Sequence, residues 1–83
     1  MPSEFIPAYI SDMIRIGINS EIHRLNETMS ITSKENVIYF RNEIEKSIQF
    51  LEENCPEFST KRLRSRLVDL DVAIAERTEG VIV

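Results

Sequence analysis

Lys61, Arg62, Arg64 and Arg66 place four cations within six residues that hold no acid. Ammonium and guanidinium groups bind carboxylates and phosphates, so the chemistry of this cluster is electrostatic recognition rather than bond-making. Leu63, Leu67, Leu70 and Ile74 interleave with and follow it at alternating steps of four and three. That spacing lines four aliphatic side chains along one narrow seam of a helix. The cations then surround the start of that helix, where the backbone is already partly positive. Three anionic counterparts suit them. Glu52, Glu53 and Glu57 lie just upstream and offer local neutralisation. The others are an acidic protein surface and a nucleic acid.

Residues for catalysis are sparse. The chain has one Cys and one His, too few for a metal cluster or a disulfide framework within it. There is no Gly-rich phosphate loop and no His–Cys pair at a plausible site. The many acids fall at helical spacings that read as solvated faces, with Glu43–Lys46 and Arg66–Asp69 as ordinary i,i+3 pairs. Cys55 reads as a small buried hydrophobe at a helix end, where a thiolate is not favoured. His23 lies off the apolar stripe and reads as a surface side chain. The expectation is a non-enzyme that uses no cofactor and no metal.

Net charge is −4. Outside residues 61–66 the chain has six bases against fourteen acids, a balance of −8, so an acidic body carries one basic patch. A phosphate backbone would feel that field too, which ranks an acidic protein partner above nucleic acid. The stretch from Ile48 to Leu70 has the outline of a helix-turn-helix, but its turn holds Pro56 rather than Gly, and acids adjoin the cations. A ribbon-helix-helix fits less well, because residues 2–10 contain no basic or alternating strand.

These residues must be positioned by helices. With 42% hydrophobic and 29% charged residues over 83 positions, the chain suits one small folded domain and not a disordered segment. No apolar run approaches a membrane span, and the N-terminus lacks the pattern of a secretory signal. A cytoplasmic protein with a reduced thiol is expected. The fold class is all-α: a three-helix bundle, or a helical hairpin plus a third helix, with helices at about 7–29, 33–54 and 60–78 and a tail at 79–83. Pro7 opens the first helix, whose stripe is Ile10, Ile14, Ile18, Ile22, Leu25 and Met29. A capping box of Thr32 and Glu35 opens the second, whose stripe is Val37, Phe40, Ile44, Ile48, Leu51 and Cys55; Pro56 ends it. Ser59 or Thr60 caps the third, and Gly80 stops it. At ~1.5 Å per residue each is roughly 30 Å long, so the three can pack side by side.

The apolar residues exceed what one stripe per helix needs. Phe5, Tyr9, Met13 and Ile16 form a second face on the first helix; Ile38, Tyr39 and Phe50 lie off the stripe of the second, and Val68 and Val72 off that of the third. Small symmetric dimers are the commonest way to cover such a surplus. Self-association is therefore expected through Phe5, Tyr9, Met13 and Ile16 and through the seam Leu63, Leu67, Leu70 and Ile74. Gly17 marks a candidate close helix crossing. The function expected is a small interaction module that regulates, inhibits or adapts a larger protein with an acidic surface. The alternatives are a nucleic-acid-binding transcriptional regulator using the basic start of the third helix, and a structural subunit of an assembly.

Overall fold

Three helices form where the apolar stripes place them. The computed structural model describes residues 7–82, with side chains through residue 77. Helix α1 spans Ala8–Thr28 and runs into a short 3-10 turn, Met29–Ile31. Helix α2 spans Lys34–Asn54 and α3 spans Lys61–Ile82. No strand occurs among the described residues.

The helix ends follow from local chemistry, with two corrections. Pro7 is extended and stands just before α1, its carbonyl accepting from the amides of Ile10 and Ser11 at 3.0 and 3.1 Å. The expected capping box of Thr32 and Glu35 does not form. Because the 3-10 turn consumes Met29–Ile31, Thr32 still closes that turn, and its hydroxyl donates back to the Thr28 carbonyl at 2.7 Å. The cap shifts one residue to Ser33, whose Oγ accepts from the Asn36 amide at 3.3 Å. Glu35 remains in the first turn, where its charge suits the helix N-terminus. Ser33→Ala should therefore lower the unfolding free energy by about 1 kcal/mol, while Thr32→Val at the expected cap costs less, as thermal melts of the two variants would show.

Helix α2 ends at Cys55, whose amide still reaches the Leu51 carbonyl at 2.8 Å before Pro56 diverts the chain. Helix α3 opens on the Thr60 carbonyl, which accepts from Arg64 N at 2.8 Å, and Ser59 Oγ accepts from Lys61 N at 3.4 Å. The second correction is at the other end. Gly80 does not stop α3, and positions 79–82 are helix rather than tail. A glycine terminates a helix by turning left-handed, and no described glycine has positive φ.

All three helices feed one core. Ile18, Ile22, Leu25 and Met29 come from α1 and the turn after it; Val37, Ile44, Ile48 and Leu51 from α2; Leu63, Leu67 and Leu70 from α3. Ile14, Phe40, Phe58, Ala73 and Ile74 pack against its edges. The seam of α3, expected to associate with a second copy, is thus corrected. Leu63, Leu67 and Leu70 are buried inside their own chain and Ile74 lies partly buried on the same core, because a four–three spacing serves packing within a chain as well as between chains.

Cross-links between helices set their directions. Ser11 Oγ, buried at the start of α1, lies 3.1 Å from Cys55 Sγ at the end of α2. Arg66 of α3 reaches Asn19 of α1, and Arg77 reaches the Thr32 carbonyl at 2.7 Å. Hence α1 and α3 run the same way and α2 runs against both. Arg77 also brings a cation to the C-terminal end of α1, where the helix dipole favours one. The level of Arg77 leaves the last turn of α3 beyond the α1–α2 connection, which helps stretch the molecule to 54 × 18 × 16 Å. Cys55 is half-buried and touches the Ser11 hydroxyl instead of being enclosed by apolar groups, because the stripe of α2 leaves the core there. Gly17 makes no close crossing within the chain: beyond its chain neighbours and its own helix backbone, no heavy atom among the described residues lies within 4 Å of where its Cβ would stand. A mid-helix glycine costs about 1 kcal/mol relative to alanine, and nothing inside this fold requires it.

Candidate functional site

The four cations of the basic cluster part company. Arg64 turns toward α2. Its Nη2 donates to Glu52 Oε1 at 2.7 Å and its Nε to Glu52 Oε2 at 2.9 Å, a two-pronged bond, and its Nη1 stands 3.5 Å from Glu45 Oε2. The Thr60 hydroxyl also donates to Glu52, at 2.7 Å. Glu45 holds Arg41 as well, and Arg41 grips both oxygens of Asp71 on α3 at 2.7 and 2.9 Å. Asp71, Arg41, Glu45, Arg64 and Glu52 therefore alternate in sign along the α2–α3 edge. This ladder fixes the register of the two helices and occupies Arg64.

The ladder has an acid-sensitive end. Arg64 chiefly, with help from the Thr60 hydroxyl, holds the Glu52 carboxyl down at about 2. The folded value lies below that of the unfolded chain, so the stabilisation is complete above the unfolded value of about 4.3 and disappears as pH falls from there through about 2. Partial exposure keeps the contribution modest. Thermal midpoints across pH 5 to 2 should fall more steeply in the wild type than in Glu52→Gln, which lacks the titrating group.

Arg62 and Arg66 turn the other way, toward α1. Arg66 Nη1 donates to Asn19 Oδ1 at 2.6 Å, which replaces the expected Arg66–Asp69 pair. Arg62 lines a shallow cleft of about 320 Å³ with Arg15, Asn19, Ser59 and Leu63. A second cleft, lined by Ile16, Asn19, Ser20, His23 and Arg66, adjoins it and shares Asn19. The two clefts form a groove along α1 and α3 that the Arg66–Asn19 hydrogen bond crosses. Arg62 and Arg66 are one helical turn apart on one wall, and Arg15 stands opposite. Lys61 is exposed and lines neither cleft.

The acids near this groove bind its cations weakly or not at all. Arg15 Nε is 3.7 Å from Asp12, a long contact within α1. Among the described residues, neither Lys61 nor Arg62 has a carboxylate within ion-pair distance, and neither Glu53 nor Glu57 joins an ion pair. Local neutralisation thus accounts for Arg64 alone. The expected Glu43–Lys46 pair is present at 3.1 Å. His23 is exposed as expected, 3.2 Å from Glu27. Arg15 escaped the sequence reading because it lies 47 residues from Arg62 and in no cluster; only the shared direction of α1 and α3 brings the two together.

Of the apolar surface expected to self-associate, Tyr9, Met13 and Ile16 are 66%, 64% and 54% exposed. Phe5 lies outside the described residues. Ile38, Tyr39, Phe50, Val68 and Val72 are exposed too, as is Ile31, a residue the stripes did not flag. No described helix is long and apolar enough to cross a membrane. No protein-family model, no curated protein and no solved structure matches the chain.

Proposed function

We propose that this chain is a small helical interaction module, a three-helix bundle that docks on an acidic surface of a larger protein and so regulates, inhibits or adapts it. The observation that carries the reading is the sorting of the basic cluster. Arg64 is spent on Glu52 and Glu45, whereas Arg62 and Arg66 join Arg15 in lining the open surface between α1 and α3. Planar guanidinium groups one turn apart suit carboxylates displayed one turn apart on a helix. Leu63, in the lining, adds apolar contact.

A helix-turn-helix is less well supported. Its two helices cross at a wide angle so that the second can enter a groove of DNA. Here the ladder holds α2 and α3 antiparallel from Glu52 to Arg41, and one of the four cations is turned inward. Within the proposed reading the protein self-associates through Tyr9, Met13 and Ile16, forms a homodimer, works in the cytosol and catalyses nothing. The test is co-purification of the tagged chain from its own host after nuclease treatment, wild type against Arg62→Glu/Arg66→Glu. Capture of a protein by the wild type and its loss from the variant supports the reading. A duplex retained by the wild type at low salt and shed as salt rises would replace it with the nucleic-acid alternative.

A further inference from the structure

Gly17 lines a second groove, between α1 and α2. Ile14, Ile18, Phe40, Ile44 and Ser47 line it too, and its volume is about 320 Å³. The glycine is not there for the backbone, since its φ is negative, nor for packing within the chain, since the space above it is open. What a missing side chain does allow is close approach by the backbone of another helix. The groove is also electrically closed. Glu21, on its margin, is bound by Arg24 at 2.7 Å, and Glu43 by Lys46 at 3.1 Å. Arg24 in turn lies over the Phe40 ring, 5.4 Å from its centre. A face with its carboxylates already matched by its own cations neither attracts a strongly charged partner nor repels a copy of itself. The α1–α3 groove, with Arg15, Arg62 and Arg66, would repel its own copy.

We infer that the occupant of the α1–α2 groove is a second copy of this chain, whose α1 crosses the first antiparallel at Gly17. This rests on the proposed self-association and supplies its geometry. A two-fold crossing at Gly17 sets each position above it against the equivalent position below it on the other copy. Glu21 then meets Met13 and Arg24 meets Ile10, so no like charges oppose. Met13 lies one turn from the crossing and Tyr9 two, which brings part of the exposed α1 face under cover.

Sedimentation equilibrium on the full chain at micromolar concentration tests this, with wild type, Gly17→Leu and Met13→Glu. Both variants should keep the wild-type helical spectrum; at concentrations where all are monomeric, Met13→Glu should keep the wild-type melting temperature and Gly17→Leu should match or exceed it, because leucine is the better helix former. The wild type should be a dimer, and each variant should raise the dissociation constant by roughly ten-fold or more. A dimer untouched by Gly17→Leu would overturn the crossing while leaving self-association through another face intact. A wild type that is monomeric throughout would overturn both. A Gly17→Leu monomer that melts well below the wild-type monomer would show the groove filled from within the chain, and would also overturn the proposal.

Discussion

Replacing Leu67 or Ile44 with alanine should lower the free energy of unfolding by about 2–5 kcal/mol. Leu67 is 3% exposed and Ile44 5%, on facing helices of the one core. Truncation removes three carbons' worth of burial and leaves a space that side chains fixed on three packed helices cannot close. Domains of this size hold only a few kcal/mol in reserve, so either change should leave a large share of the chain unfolded at 25 °C. Val68→Ala, one residue on from Leu67 and 58% exposed, should shift stability by less than about 0.5 kcal/mol. Urea denaturation of the three variants measures the contrast. Wild-type midpoints for Leu67→Ala and Ile44→Ala would mean that the core has been misplaced.

The core was legible because apolar spacing at threes and fours reports directly which face of a helix is buried. Ile18, Ile22, Leu25, Val37, Ile44, Ile48, Leu51, Leu63, Leu67 and Leu70 all lie on the stripes and are all buried. The stripes fail at their ends, where Ile10 and Cys55 run off the core, and they carry no trace of Ser11, a small polar side chain buried at the α1–α2 junction. Phe58 escaped because it packs from a loop, outside any period. The cap of α2 was displaced by one residue because Thr32 and Ser33 are equally able caps; the 3-10 turn before them decides, and sequence does not announce it.

The arrangement of the basic cluster was half legible. Four cations in six residues stand out in any reading, but their directions around the helix matter more than their number. Arg64 falls toward α2 and Arg62 and Arg66 toward α1, which follows from helical rotation only once the neighbours of α3 are known. Their partners are set by long-range stagger: Arg41–Asp71 spans 30 residues and Arg66–Asn19 spans 47. The seam of α3 was ambiguous for a related reason. Its pattern states that the helix packs on something, and the answer was the rest of its own chain.

Charge reversal separates the cations by role. Arg62→Glu/Arg66→Glu should weaken capture of an acidic protein partner by about two orders of magnitude, because it sets like charges against the docked carboxylates. The fold should survive, since Arg62 makes no ion pair among the described residues and Arg66 loses one hydrogen bond, to Asn19. Arg64→Gln should do the opposite. It gives up bonds to Glu52 and Glu45 at a cost under about 1 kcal/mol and leaves the groove as it was. The most direct measurement is therefore nuclease-treated co-purification from the host with three proteins in parallel, each checked for helical content. The proposed docking groove predicts one protein partner held by the wild type and by Arg64→Gln and lost from Arg62→Glu/Arg66→Glu. Equal capture by all three, or capture lost only with Arg64→Gln, would contradict it.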